Sequence, residues 1–562
     1  MSNLLDRASI LLSPTAVSDD TLHSVKPVRT FSNELITNGS FDADTNWTKF
    51  SDATISDGVV NLPNASAAVR QTGVLENNKN YKITYDVISS SGNNVLFTTR
   101  GASCLTVDLP SSVGTHTVFA RSNSTGGAEF FISVKAFSAS AVVDNVSVKK
   151  VTHADFDFTR ATTATRVNSS GLIESVASGL PRIDFLSGTG HVLMEPASTN
   201  TATYSNDFSQ GTNFNSGNRI LSASVLSANQ GTAPDGTNTA QKITDNNNGG
   251  TGSIAISSFG TTLNSGTDST VSMFVKKDTV RYFVIRFLNF DTTVDASFDL
   301  DTGIVNRGTG VMTDYGNGWY RCSTTFNTTT DLVGGIQFLI TNSSSGNGGN
   351  LRDGSNSTFI WGYQAEESSF ATSYIPTVAS TVTRTVDKSI NSGDSSLINH
   401  VEGVIYFNAR FLNRISNGFK KPISISDGTG VNSNVIYLMR INNSEDSFNM
   451  TLKNSSGVGG GAAFTIPSSD EFFKLAISYK SGETKVFLNG VQQGNTRTFT
   501  FSLNPFTKLN LTNAVSSEEF NGELTAAAVF KEALDNDELE CLTGSGFDSF
   551  TALAEAGSYT II

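Results

Sequence analysis

Residues 359–388 read FIWGYQAEESSFATSYIPTVASTVTRTVDK, and this stretch organises the rest of the chain. The pattern predicts a strand that ends in Trp-Gly-Tyr, a polar turn, an extended piece that Pro376 ends, and a Thr/Val run that leads onward. A partner stretch lies far upstream at residues 156–185, FDFTRATTATRVNSSGLIESVASGLPRIDF. We predict that one folded unit lies between these two seam stretches and that another unit lies on either side.

Length and composition indicate several β-rich domains. The 562 residues exceed what one hydrophobic core holds, so three or more domains are expected. Only 16% of residues are charged, whereas 38 are Phe, a balance that suits short strands and polar turns.

The net charge of −13, without a cluster of Lys and Arg, argues against a nucleic-acid surface. Cys104, Cys322 and Cys541 lie too far apart for a disulfide framework or a zinc site, and we expect them to be buried small hydrophobes.

The N-terminal segment, residues 1–31, combines a short apolar patch with Pro14 and Pro27. It is too small to fold alone, so its apolar residues need a surface on the next domain or on another protein, unless the segment is a loose arm. It carries no apolar block of signal-peptide length, and the chain has no apolar run long enough to span a membrane. Synthesis in a cytosol is therefore expected.

The remaining chain is predicted to be all-β, with three successive antiparallel β-sandwich domains. Short alternating runs separated by Gly, Ser and Asn turns support this fold class. The predicted organisation is a first sandwich, a connector, a second sandwich, a third sandwich and a C-terminal tail, at residues 32–151, 152–199, 200–388, 398–541 and 542–562.

Three arginines of the connector, Arg160, Arg166 and Arg182, could suggest an anion site. Acidic residues are interleaved with them, so ion pairs that hold an irregular segment are the better interpretation. The acidic residues are Asp155, Asp157, Glu174, Asp184 and Glu195.

Catalytic patterns are missing from the sequence. Glycoside hydrolysis needs two opposed carboxylates, and the Glu-x-Asp-x-x-Glu spacing of laminarinases does not occur. Glu518, Glu519 and Glu523 form the nearest acidic cluster and are predicted to be a solvated edge. We find no Gly-x-Ser-x-Gly elbow, no phosphate-binding Gly-rich loop and no β-helix repeat. The protein is predicted not to be an enzyme.

The first sandwich resembles carbohydrate-binding-module jelly rolls related to galactose-binding domains. The resemblance rests on Leu35-Ile-Thr-Asn-Gly-Ser-Phe-Asp42 with Trp47, and on Val143-Asp-Asn-Val-Ser-Val148. It implies a structural calcium ion at Asp42 and Asp144, hard oxygen ligands that suit Ca²⁺. The family position of Asp42 is commonly Glu, and two surface carboxylates that cap strand ends are the alternative. No other cofactor is expected.

The second sandwich resembles the carbohydrate-binding-module-like domain of phage tail and other virion proteins. Residues 232–238, TAPDGTN, 315–321, YGNGWYR, and 360–377 carry this resemblance. It implies aromatic residues that stack on sugar faces. The predicted carbohydrate-binding residues are Trp47, Tyr320 and Tyr363, whereas Trp319 and Trp361 are predicted to lie in a core.

The third sandwich resembles the concanavalin-A-like or laminin-G-like fold, including a short terminal helix in residues 530–539. The N-terminal phrase resembles marine phage structural proteins, in which Ser-Val-Lys-Pro is followed within a few residues by Phe-Thr-Phe-Thr-Arg. Here His23–Pro27 and Phe156–Arg160 are separated by the whole first sandwich. The first sandwich therefore resembles a module inserted into an older scaffold.

Together these resemblances imply a bacteriophage virion protein, a tail-fibre or receptor-binding component that contacts host surface polysaccharide. Its partners would be other virion proteins, through the N-terminal segment, and further copies of itself, since phage fibres are commonly homotrimers. No nucleic acid and no membrane insertion are expected. A capsid decoration or head-fibre protein is one alternative, and a polysaccharide-degrading tailspike enzyme is another.

Overall fold

The structure, a computed structural model, describes residues 4–18, 21–26, 30–77, 79–92, 96–98, 103–123, 126–135, 138–152, 154, 156–208, 219–263, 266–288, 295–327, 332–345, 350–412, 420–430, 432–440, 447–466, 471–513 and 518–544. Antiparallel ladders dominate these residues, which confirms the all-β prediction. The chain forms two compact units, one of Lys26–Ala154 and one of Met1–Val25 with Asp155–Ile562. It thus leaves the larger unit after Val25 and returns to it at Asp155, as the insertion hypothesis expects. No helix in the described ranges is long and apolar enough to cross a membrane.

The first sandwich lies in the smaller unit and packs two sheets around one core. Alternation decides which side chains enter that core: in Asn80–Ser90, Tyr81, Ile83, Tyr85 and Val87 are buried and the residues between them are not. One sheet has the order Asp108–Leu109, Leu96–Phe97, Phe130–Val134, Ala68–Gln71, Thr48–Phe50. The other has the order Gly114–Arg121, Asn80–Ser90, Ala141–Thr152, Val59–Leu62, Thr54–Ser56, and Thr30–Phe31 also pairs with Ala141–Thr152.

The central sandwich, our name for the fold within residues 198–386, consists of two six-stranded sheets around a Phe-rich core. The first sheet has the order Arg219–Ser222, Ile254–Leu263, Leu332–Thr341, Tyr282–Leu288, Asp295–Asp299, Ile304–Arg307. The second has the order Ser224–Gly231, Ala240–Asp245, Ser357–Glu366, Asp268–Lys277, Trp319–Asn327, Val311–Asp314. Thr251–Gly252 and Asn350–Leu351 form a small separate ladder. The Trp-Gly-Tyr strand of the downstream seam stretch is therefore an interior strand of the second sheet.

The C-terminal sandwich packs a nine-stranded sheet on a five-stranded one. The larger sheet has the order Arg182–Asp184, His191–Met194, Gly522–Phe530, Glu402–Phe411, Phe473–Lys480, Lys485–Leu488, Val491–Gln492. The smaller has the order Gly459–Thr465, Ser447–Lys453, Val435–Arg440, Lys420–Ser426, Lys508–Asn510. The predicted terminal helix is confirmed at Asn536–Thr543, where the side chains of Asp535 and Glu538 form a reciprocal capping box.

Two upstream segments complete one edge of strand Gly522–Phe530. Ala8–Ser18 pairs with its later half and itself forms a hairpin with Thr21–Lys26, after a short helix at Leu4–Arg7. His191–Met194 pairs with its earlier half. An uncovered strand edge is a template for pairing with other chains, so both additions protect the sheet. The buried apolar residues at the start of the N-terminal segment, Ala8, Ile10, Leu11 and Leu12, thus find their partner in the last sandwich.

The chain ahead of the central sandwich pairs with the chain that follows it, and the downstream seam stretch contributes to both ladders. Asp157–Thr159 forms a ladder with Lys388–Ile390, and Ser198–Asn200 forms one with Val382–Arg384. Within the connector, Ala164–Val167 makes a hairpin with Ile173–Val176. The chain therefore enters and leaves the central sandwich at adjacent points.

Five buried charged side chains join these stretches, and we call them the seam network. Arg182 donates to both carboxylates, to Glu195 Oε2 at 2.8 Å and to Asp387 Oδ2. Arg384 also donates to Glu195, and Arg160 Nη1 donates to Asp387 Oδ1 at 3.0 Å. All five side chains are at most 3% exposed. A buried charge without a partner is very unfavourable, so the network strongly favours this one arrangement of the two stretches.

The ion-pair interpretation of the connector arginines is confirmed. Arg182 pairs with Glu195 and Arg166 pairs with Glu174, both from the predicted set. Arg160 differs, because its carboxylate is Asp387 from the downstream seam stretch. The sequence showed that the arginines would be paired but could not show this long-range partner.

The seam network predicts a specific loss of stability in acid. Burial alone would raise the pKa of Glu195, but the charges of Arg384 and Arg182 outweigh it and lower that pKa from 4.5 to about 2. A folded-state pKa below the unfolded one gives stability that is present above pH 4.5 and is lost as the pH falls towards 2. The shift corresponds to about 3 kcal/mol. Urea unfolding at pH 7, 4 and 3, followed by tryptophan fluorescence, should show this loss. The Glu195→Gln variant should have a lower free energy of unfolding than the wild type at pH 7, and this free energy should fall less between pH 7 and pH 3. The same pH dependence in variant and wild type would contradict the assignment.

Candidate functional site

A cleft of about 500 Å³ opens between the central and C-terminal sandwiches. The central sandwich lines it with strands Val311–Asp314 and Trp319–Asn327 and with residues 369–371. The C-terminal sandwich lines it with residues 410–412 and Glu523. Ligand sites in proteins commonly have this volume and lie where two folded layers meet.

One face of strand Trp319–Asn327 supplies much of the polar lining. Successive side chains of a strand point to opposite faces, so Trp319, Arg321, Ser323 and Thr325 share the outer face. Thr313 on the neighbouring strand is opposite Arg321 in the ladder. Arg321, Ser323, Thr325 and Thr313 all line the cleft. The other Ser and Thr residues of its lining are Thr309, Thr324 and Ser369. Hydroxyls can both donate and accept hydrogen bonds, as sugar hydroxyls also can.

Tyr315 is placed at the cleft by a tight turn. Gly316, Asn317 and Gly318 have φ values of 77°, 53° and 79°, a left-handed conformation that Gly and Asn tolerate. The Tyr315 amide then donates to the carbonyl of Trp319 at 2.9 Å. The phrase Tyr-Gly-Asn-Gly-Trp therefore encodes the position of this side chain.

Three aromatic rings line the cleft: Tyr315, Phe370 and Phe411. Tyr315 lies edge-on to Phe274 with the ring centroids 4.8 Å apart, and burial raises the pKa of its hydroxyl, so that hydroxyl is protonated at neutral pH. Phe411 stacks on Phe448 at 5.2 Å, whereas Phe370 is half-buried and keeps part of its ring accessible. Aromatic rings of this kind can pack on the apolar faces of pyranose rings.

Arg321 is the buried cation of the cleft, only 4% exposed. Its Nη1 donates to the carbonyl of Thr372 at 2.5 Å, and Nη2 and Nε donate to Ser272 Oγ at 2.9 and 3.2 Å. The guanidinium carbon lies 5.2 Å from the centre of the Phe274 ring. These contacts hold the guanidinium in one orientation.

A second charged group forms the C-terminal side of the cleft. Arg410 pairs with Glu523, and the Nε2 atom of the buried His191 lies 3.4 Å from Glu523 Oε1 and 3.7 Å from Asp184 Oδ1. Burial alone would raise the pKa of Glu523, but His191 and Arg410 outweigh it and lower that pKa. Burial raises the pKa of Asp184, and the backbone amides that donate to its carboxylate offset part of this rise. Glu523, predicted as a solvated edge, is instead buried beside the cleft because it pairs with Arg410.

The predicted sugar-stacking residues do not meet at one surface. Trp47 is 7% exposed and donates its indole N–H to the carbonyl of Asn38 at 2.9 Å. Tyr363 is 1% exposed and packs edge-on against Phe338. Neither ring presents a free face, so the structure places both in cores. Tyr320 is half-buried and packs against the core of the central sandwich.

Trp319 and Trp361 lie in a core, which confirms that prediction. They are 2% and 1% exposed and share a cluster with Phe274 and Tyr374 on the outer face of the central sandwich. Their indoles donate to the carbonyl of Thr232 at 3.1 Å and to Thr239 Oγ1 at 3.0 Å. This cluster lies beside the cleft on the same strand face.

Asp42 and Asp144 each have a local hydrogen bond. Ser40 Oγ donates to Asp42 Oδ2 at 2.6 Å, and the amide of Asn145 donates to Asp144 Oδ1 at 2.6 Å. In the part of the chain that the structure describes, no three His, Cys, Asp or Glu side chains are grouped to hold a metal ion. The calcium site stays a prediction.

The first sandwich carries a separate aromatic platform. The Arg70 guanidinium carbon lies 5.3 Å from the ring centre of Phe50 and 5.8 Å from that of Phe131. Arg70 also pairs with Glu129 at 2.8 Å. Phe50 is half-buried, so the platform is a second surface on which a sugar could stack.

Known proteins give distant comparisons. No protein-family model and no curated protein matches the chain. Among solved structures, the CBM40 of a Ruminococcus gnavus IT-sialidase bound to alpha2,3 sialyllactose is 18% identical, covering 27% of this chain and 86% of that one with a TM-score of 0.23. The CBM22 tandem domain of Paenibacillus barcinonensis Xyn10C is 10% identical, covering 61% and 100% with a TM-score of 0.22. Domains LG4-5 of the mouse laminin alpha1 chain are 12% identical, covering 49% and 89% with a TM-score of 0.18. These similarities are too distant to bear on any residue of the cleft.

Proposed function

We propose that this protein is a bacteriophage virion component, a tail-fibre or receptor-binding protein, that binds host surface glycan in the cleft between the central and C-terminal sandwiches. The observation that carries the glycan assignment is the lining of the cleft, where aromatic rings and a row of hydroxyls face one space of about 500 Å³. The virion assignment rests on the sequence resemblances of the N-terminal phrase and the central sandwich.

The lining matches the two chemical sides of a sugar ring. Thr313 offers a hydroxyl at a fixed strand position, and Ser323 and Thr325, whose hydroxyls donate to the carbonyls of Val311 and Ser369, keep acceptor capacity for sugar hydroxyls. Tyr315 and Phe370 offer ring surface for the apolar C–H faces.

The cleft is also held rigid. The seam network fixes the entry and exit of the central sandwich, and strand His191–Met194 continues from the connector into the C-terminal sheet. A site whose walls are already in position loses less conformational entropy when ligand binds. Repetition of such sites in a homotrimer would add avidity, because later binding events become intramolecular.

Hydrolysis is not part of the proposal. Glycosidases need two carboxylates that face the scissile bond. Among the described residues that line the cleft, Glu523 is the single carboxylate, and it is paired with Arg410. Imaging of labelled particles would distinguish a tail-fibre location from a head-fibre location.

The proposal predicts that Phe370→Ala weakens glycan binding about tenfold, because loss of a stacking ring costs about 1 kcal/mol or more. The measurement is binding of the purified full chain to an array of bacterial capsules and lipopolysaccharides, followed by titration of the polysaccharides retained. Phe359→Ala is the matched control, since Phe359 is a half-buried ring of the same sandwich that does not line the cleft. Equal binding by both variants, or no retention by the wild type, would contradict the proposal.

A further inference from the structure

We infer that the cleft selects glycans that carry a carboxylate, such as uronic or sialic acids, and that Arg321 is the residue that holds this carboxylate. The inference deepens the proposed function and rests on it.

Arg321 differs from the buried arginines of the seam network. Arg160, Arg182 and Arg384 each contact at least one carboxylate. Arg321 is buried to a similar degree, yet in the described ranges it forms no ion pair, and its hydrogen bonds go to the hydroxyls of Ser272 and Tyr315 and to the carbonyl of Thr372. A cation withdrawn from water is costly without a counter-charge, and a ligand carboxylate would supply one.

Arg321 has a donor left for such a ligand. A guanidinium carries five N–H groups, one on Nε and two on each terminal nitrogen. Ser272 Oγ accepts from Nε and Nη2, the carbonyl of Thr372 accepts from Nη1, and the Tyr315 hydroxyl takes a fourth hydrogen bond. One N–H therefore remains for a charge-assisted hydrogen bond to a carboxylate oxygen.

The charge balance of the cleft supports an anionic ligand. Among the residues that the structure describes, the charged members of the lining are Arg321, Arg410 and Glu523, of which the last two pair with each other. Arg321 therefore contributes the unbalanced charge, in a chain whose overall net charge is −13. Thr313, opposite Arg321 in the ladder, and Ser323, next on the same face, place hydroxyls beside it. A sugar carboxylate and its neighbouring hydroxyls fit this arrangement.

The test compares matched ligands on the full chain. Uronic-acid and sialic-acid oligosaccharides are immobilised, each beside its carboxyl-reduced neutral counterpart, and affinities are measured at neutral pH. We expect the wild type to prefer the acidic member of at least one pair by about 10- to 100-fold, the effect of a charge-assisted hydrogen bond. Arg321→Gln should lose this preference and keep the neutral affinity, and Arg321→Lys should retain part of it. Arg281→Gln, which removes a partly exposed cation of the same sandwich outside the cleft, should keep the preference.

The outcomes separate the two proposals. Equal affinity of the wild type for both members of every pair it binds overturns the carboxylate inference and leaves glycan binding intact. No binding of any glycan overturns both. Retention of the preference by a folded Arg321→Gln overturns the assignment of Arg321. The wild-type comparison needs no variant, so misfolding of Arg321→Gln does not prevent a decision.

Discussion

Replacing Arg182 with alanine is expected to lower the free energy of unfolding of the central sandwich by about 3–5 kcal/mol, the cost of breaking a buried ion pair. Arg182 contacts both carboxylates of the seam network, so its loss leaves Glu195 and Asp387 buried with fewer counter-charges. Arg166→Ala is the matched control in the same connector. Its partner Glu174 is 38% exposed, and an ion pair of this kind is worth less than about 1 kcal/mol.

Tryptophan fluorescence measures this effect locally. The chain has 3 Trp, and a Trp47→Phe background leaves Trp319 and Trp361, both buried in the central sandwich. Their emission during urea unfolding therefore reports on the sandwich that the network holds. An unfolding midpoint for Arg182→Ala that matches the Arg166→Ala midpoint would show that the network does not hold the seam.

Replacing Leu11 with alanine is expected to destabilise the C-terminal sheet by about 2–4 kcal/mol, as buried Leu-to-Ala changes do. Leu11 is 1% exposed, is opposite Ala528 in the ladder, and packs in a core with Val404 and Tyr406. Amide hydrogen exchange in strand Gly522–Phe530 should accelerate by about 30- to 1000-fold.

Val401→Ala is the control for Leu11→Ala. Val401 is 59% exposed and precedes strand Glu402–Phe411 of the same sheet, so its truncation should change stability by less than about 0.5 kcal/mol. Unchanged exchange in Leu11→Ala would mean that the N-terminal segment is not anchored in this sheet. That result would favour the prediction that it is free to contact another virion protein.

Local features of the fold followed from the sequence because their causes are local. The hairpin turn at Asn489-Gly490 follows from two residues that tolerate positive φ, and the structure gives them φ values of 49° and 82°. Alternation predicted the buried face of strand Asn80–Ser90.

The long-range arrangement could not be read in the same way. The apolar patch at Ile10 and Leu11 requires a partner, but nothing near it indicates a strand more than 500 residues away at Gly522–Phe530. Pairing that distant depends on the assembled sheet, whose register no short segment contains. Arg160 likewise found its carboxylate, Asp387, across the whole central sandwich.

The candidate site was only partly accessible from sequence. Aromatic residue type drew attention to Trp47 and Tyr363, which belong to cores. The alternation Trp319, Arg321, Ser323, Thr325 did contain a usable signal, because it places a charged residue and two hydroxyl residues on one strand face. Which elements cover that face depends on how two sandwiches meet, and this required the structure.

The central claim is that glycan binds between the central and C-terminal sandwiches, and hydrogen–deuterium exchange of the full chain with and without a saturating polysaccharide from the array tests it most directly. The account predicts new protection in residues 309–325 and 369–371, which line the cleft. Protection confined to the Phe50, Arg70 and Phe131 platform of the first sandwich would contradict it, because the ligand would then occupy a different surface.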